Sequence, residues 1–125
     1  MKQVIISLSI ATLAISNSVF GQQEKSATLK SAYQNDFFIG TALGLSQIYE
    51  SDKQESKIVA NQFNSIVAEN CMKSMFLQPK EGQFFFDDAD KFVALGEKNK
   101  MFTIGHTLIW HSQLPDWFFI DKNGK

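Results

Sequence analysis

The chain has 125 residues, 44% of them hydrophobic and 13% aromatic, enough apolar material for one domain with a core of its own. Twelve Lys and Arg against 13 Asp and Glu leave a net charge of −1, which offers no electrostatic footprint for nucleic acid or another polyanion. Cys71 is the single cysteine, so no internal disulfide framework can substitute for packing.

At the N-terminus, Lys2 precedes an apolar run from Val4 to Ile15 and a small, polar stretch ending Val19-Phe20-Gly21. The run is shorter than the ~20 apolar residues of a membrane anchor and is broken by Ser7, Ser9 and Thr12. Residues 1–21 therefore read as a secretory signal peptide cleaved after Gly21. No cysteine near that point suggests lipid anchoring. The expectation is a secreted or periplasmic protein with no membrane span after cleavage. Residues 22–35 are polar with weak periodicity and form a lead-in, as a short helix or a mobile arm.

Phe37-Phe38-Ile39-Gly40-Thr41-Ala42 is an apolar run bounded by Asp36 and Gly44, and it predicts a first strand buried on both faces. Asp52 with Glu55 gives a capping-box-like start, and Val59 with Phe63 an apolar i, i+4 pair, so a helix is expected over Asp52–Phe63. Ser65-Ile66-Val67-Ala68 is β-prone and runs into the polar Glu69-Asn70-Cys71-Met72-Lys73. Pro79 to Gln83 is turn-like, and Phe84-Phe85-Phe86 leads to Asp87, a good N-cap residue. Ala89, Phe92, Val93 and Gly96 then recur at helical spacing, with acids in the first turn and Lys98 and Lys100 near the end. Phe102-Thr103-Ile104-Gly105-His106 predicts a third strand. Strand, helix, strand, helix, strand implies a parallel α/β fold.

In parallel α/β folds ligands bind at the carboxyl ends of the strands, where the polar residues gather here. Gly105-His106-Thr107-Leu108-Ile109-Trp110-His111-Ser112-Gln113-Leu114-Pro115-Asp116-Trp117 concentrates two imidazoles, two indoles and an amide after the third apolar run. Such a set suits a polar, ring-shaped ligand. The segment resembles a motif of glycoside hydrolase family 10, mainly endo-1,4-β-xylanases. Glu69, Asn70 and Lys73 are similar to a second motif of that family, Glu-Asn-x-x-Lys after strand two.

The resemblance implies a (β/α)8 TIM barrel of which this chain carries roughly the first three βα units. The segment 36–125 is then the N-terminal part of a truncated catalytic domain, shorter than half of the ~250 residues a barrel takes. Two strands left as edges and one uncovered face of each helix would make it prone to aggregate. The resemblance also implies xylan or xylo-oligosaccharide as substrate, with no cofactor and no metal. Glu69, Asn70 and Lys73 would bind sugar on the non-reducing side of the cleaved bond. His106 would bond the sugar beside that bond, Trp110 would form a wall, Gln113 would reach a sugar further along, and His111 would support these from behind. Retaining hydrolysis needs two carboxyl groups ~5 Å apart, and the resemblance puts both glutamates beyond Lys125, leaving no catalytic residue in this chain.

Taken singly, these residues have plainer readings. Glu69 and Lys73 are spaced for an ion pair on a helix turn. His106 could be a core histidine held by a carbonyl, and Trp110 a packing residue under a loop. Trp117 and Phe118 fit either a sugar platform or a hydrophobic lid, and Cys71 a small buried hydrophobe. A metal site from His106, His111, Cys71 and Glu69 has suitable ligands, but two histidines five apart on an extended strand point to opposite faces. Ser74 stands where many family members have tryptophan, and Cys71 where many have an acid. A barrel that binds carbohydrate without its catalytic glutamates is the alternative to the enzyme.

Overall fold

The computed structural model describes residues 26–121 and 123–125. The signal peptide expected over residues 1–21, and the first residues of the lead-in, lie outside these. The elements run α1 (Leu29–Ala32), β1 (Gly40–Leu43), α2 (Leu45–Ile48), α3 (Lys53–Gln62), β2 (Ser65–Ala68), α4 (Ser74–Leu77), α5 (Asp87–Lys98), β3 (Phe102–Ile104) and a 3-10 turn at Asp116–Phe119.

The described part of the lead-in carries a short helix, α1. Thr28 caps it, its hydroxyl accepting from the Ser31 N–H while the Ser31 hydroxyl accepts from the Thr28 N–H. Asp52 caps α3, its carboxylate accepting from the N–H groups of Gln54 (2.6 Å) and Glu55 (3.1 Å). The reciprocal half of the expected capping box is replaced, since the Glu55 carboxylate accepts from Gln47 Nε2 at 2.8 Å. Asp87 was expected as the cap of α5, but the helix already includes it. Phe86 takes the cap position without a side-chain bond, and Asp87, Asp88 and Asp90 favour the positive end of the helix dipole.

The three strands form a parallel sheet in the order β1-β2-β3, with Thr41 opposite Ile66 and Ile66 opposite Thr103. The central strand occupies the residues its sequence suggests. One face carries Leu43, Ile66 and Ala68, which join Ile48, Cys71, Phe92, Leu95 and Met101 in a single buried cluster. Gly96 lets α5 approach closely, because a Cβ there would lie 2.3 Å from Thr103 Oγ1.

The other face is largely open among the described residues, with Ser65 its one buried residue. Phe102 and Ile104 are exposed there, and Phe38 stacks on Phe102 at 5.3 Å between centroids. The first strand is therefore not buried on both faces. Leu43 is its one buried residue, because helices cover one side only. It also starts at Gly40 rather than Phe37. The Ile39 N–H donates to Asn64 Oδ1 (2.7 Å) instead of entering the ladder, which leaves Phe37 and Phe38 outside it. The third strand ends at Ile104, two residues before the expected His106.

Candidate functional site

At the carboxyl end of the sheet, the Glu69 N–H extends the ladder by donating to the Leu43 carbonyl at 3.0 Å. The chain then turns. The Lys73 N–H donates to the Asn70 carbonyl at 2.8 Å, and Lys73 becomes the cap residue of α4. Residues 69–73 are not helical, so the ion-pair geometry expected of a helix turn is not available. Among the described residues the one ion pair is Lys98–Glu50 at 2.6 Å.

Lys73 instead points into a polar cluster and is only 8% exposed. Its Nζ donates to Asn70 Oδ1 at 3.2 Å and to Gln113 Oε1, and Gln113 Nε2 donates to Asn70 Oδ1 at 3.0 Å. The three side chains close a triangle across 43 residues of sequence. An ammonium has three donors, and these bonds use two. The same Nζ sits 4.9 Å from the centroid of Trp110, within cation–π range.

Trp110 in turn meets His106 edge-on at 6.3 Å and His111 at 5.0 Å. Two histidines five apart point to opposite faces only where the backbone stays extended between them. The chain leaves the sheet after Ile104, and both rings flank one indole. Neither His106 nor Trp110 is a core residue: both are exposed. Among the described residues, no group of three or more His, Cys, Asp or Glu side chains could share a metal ion.

Gln113 adopts φ +55°, a left-handed backbone that costs a non-glycine residue about 1 kcal/mol. Its two side-chain bonds, and its carbonyl accepting from the Met75 N–H at 3.3 Å, offset that cost. Glu69 stands beside the triangle rather than in it. It is exposed, and its Oε2 would lie 3.0 Å from a Cβ at Gly44, so the glycine leaves room for the carboxylate.

Two features escaped the sequence reading. Ser74 Oγ donates to the Leu108 carbonyl at 2.8 Å, tying the loop after β2 to the loop after β3. Gln47 Oε1 accepts from the Gly44 N–H at 3.1 Å and helps set the wall near Glu69. Neither has a sequence signal, since single Ser and Gln residues outside a periodic run look like solvent-facing positions.

Trp117 is half-buried, its Nε1 donating to the Gln78 carbonyl at 2.9 Å and its ring meeting Phe118 at 4.4 Å. That pins the turn after Pro115 to the end of α4. Cys71 is buried in the core cluster with a free thiol, and burial pushes its pKa up, with Asp88 adding to the shift.

The family model for glycosyl hydrolase family 10 matches residues 28–125. Endo-1,4-beta-xylanase A of Halalkalibacterium halodurans is 41% identical over 117 residues, which cover 86% of this chain and 29% of that protein. Xylanase B from Clostridium stercorarium F9 superposes with a TM-score of 0.73 at 42% identity, over 78% of this chain and 28% of the other. A mutant protein solved in complex with xylotriose superposes with a TM-score of 0.73 at 34% identity, over 78% of this chain and 29% of the other. The chain thus spans less than a third of the length of these relatives.

Proposed function

The chain belongs to glycosyl hydrolase family 10, and from that premise we propose that it forms the substrate-binding, N-terminal part of a secreted endo-1,4-β-xylanase hydrolysing internal β-1,4-xylosidic bonds of xylan with retention. The observation that carries the reading is the Asn70–Lys73–Gln113 triangle with Trp110 over the Lys73 ammonium, at the carboxyl ends of parallel strands. Fixed donors and acceptors beside an aromatic face are what a sugar ring with paired hydroxyls needs.

In this reading Asn70 and Lys73 bond sugar hydroxyls on the non-reducing side, and Glu69 accepts from a further hydroxyl. Trp110 forms the wall of the pocket next to the cleaved bond, where His106 bonds the sugar. Gln113 holds Lys73 in place and reaches the outer sugar, while His111 steadies Trp110. None of these groups cuts the bond. The acid/base and nucleophile carboxyls belong to the part of the barrel that follows this segment, and the open sheet face is where that part packs. The apolar run at Val4–Ile15 supports export.

Two incubations with xylan test this division of labour. The gene's full product should release xylo-oligosaccharides whose new reducing ends form first in the β configuration, read by NMR. The 125-residue chain should release none. Hydrolysis by the short chain would overturn the division. An inactive full product that still binds xylan would leave a carbohydrate-binding protein instead.

A further inference from the structure

The segment Gly105–Pro115 has little structure of its own. Leu108 is 91% exposed and Ile109 76%, and among the described hydrogen bonds the one inside the segment is Thr107 Oγ1 donating to the Ile109 carbonyl at 3.4 Å. Its position therefore rests on the neighbouring loop. Three consecutive residues at the start of α4 hold it: Lys73 through the Gln113 side chain, Met75 through the Gln113 carbonyl, and Ser74 through the Leu108 carbonyl. Two of these grips lie on the C-terminal side of Trp110 and act at one residue. Ser74 alone grips the N-terminal side, two residues before the indole.

We propose that Ser74 is a positioning residue, which by pinning the Leu108 carbonyl holds the Trp110 indole over the Lys73 ammonium. Without that bond the nearest anchor on that side is Ile104 in β3, six residues before the indole, so removing the hydroxyl loosens the indole without touching the triangle. The consequence for sugar binding rests on the function proposed above; the effect on Trp110 does not. One neutral hydrogen bond of this kind corresponds to a change in affinity of about two- to tenfold.

The test uses the full chain, whose two tryptophans give two indole N–H resonances, with Trp117 as the internal control because its N–H is held by Gln78. In Ser74→Ala the Trp110 resonance should shift and broaden while that of Trp117 stays. Affinity for xylohexaose should fall by about two- to tenfold. Ser74→Thr, which keeps the hydroxyl, should restore both readouts. An unmoved Trp110 resonance in Ser74→Ala overturns the proposal, and so does loss of both resonances, which would make the hydroxyl a support of the whole chain. If neither the unmodified chain nor the gene's full product binds xylohexaose, the sugar reading fails, and the Trp110 resonance still decides the role of Ser74.

Discussion

The loops that leave β2 and β3 stand side by side at the same end of the sheet, yet they are built differently. The first, Glu69 to Leu77, sends Cys71 into the core, folds on its own Asn70–Lys73 turn and continues into a helix. The second, Gly105 to Pro115, leaves Leu108, Ile109 and both imidazoles in the open and takes its shape from bonds supplied by the first. The contrast teaches that the more conspicuous motif in the sequence is the dependent partner. Binding groups on a loop need a rigid neighbour to hold their geometry, and here that neighbour is the inconspicuous Asn70–Ser74 stretch.

If the first loop is the support, Lys73→Ala should have the largest effect of any change to a polar or aromatic side chain of the two loops. It removes two charge-assisted hydrogen bonds and the cation over Trp110, from a site that is 8% exposed. Hydrogen bonds to charged groups are worth about 1.5–3 kcal/mol, so stability should fall by about 2 kcal/mol and the melting temperature by roughly 8–16 °C for a domain of this size. Xylohexaose affinity should fall with it. A thermal melt followed by circular dichroism that moves by less than about 2 °C would show that the second loop stands unaided.

The opposite pattern is expected of Trp110→Ala. The indole is 37% exposed and touches two exposed imidazoles, so little core packing is lost. The melt should move by about the 0.5–1 kcal/mol of the lost contact with the Lys73 ammonium, less than the loss in Lys73→Ala. Xylohexaose affinity should drop by about two- to thirtyfold if the ring is a wall of the sugar pocket, since an aromatic face in a polar contact carries about 0.5–2 kcal/mol. Titration calorimetry on the same preparation separates the two. A variant that loses stability and keeps affinity would reverse the assignment of support and wall.

How far the sequence could anticipate this end of the molecule depends on distance along the chain. Ser65–Ala68 is a short β-prone run bounded by polar residues, and it became β2 with the bounds expected. Asp52 sits directly before a helical pattern and caps α3. Those signals lie within a few residues of each other. Phe37 and Phe38 are equally apolar but lie outside the ladder, because a bond from the Ile39 N–H to Asn64, 25 residues on, decides where pairing begins. The four-residue helices α2 and α4 are too short to show a period. Contacts between the loops span 34 to 43 residues, and no local pattern records them. What the two motifs disclosed was the kind of chemistry; that Asn70 and Gln113 both converge on Lys73, and that Glu69 stands aside, required the fold.

Cys71 offers the finest probe of the difference, because its thiol reports the packing of the first loop without belonging to the triangle. Burial pushes its pKa above the ordinary thiol value, and the nearby Asp88 carboxylate disfavours the thiolate further. A folded-state value raised above the unfolded one means that the contribution to stability is present in full below the ordinary thiol range. It is lost as pH rises through the raised value. The melt should therefore be flat with respect to this group around neutrality and decline in mild alkali. Over the same pH range a Cys71→Ser chain should not show that part of the decline. At pH near 8 the thiol should react with a disulfide reagent more slowly than in the unfolded chain, since only the thiolate attacks. Trp110→Ala should leave that rate unchanged, while Lys73→Ala should raise it by opening the turn between Asn70 and Lys73. Equal rates in all three proteins would mean that the first loop holds its shape without Lys73, and the support would then have to be sought in the core beneath it.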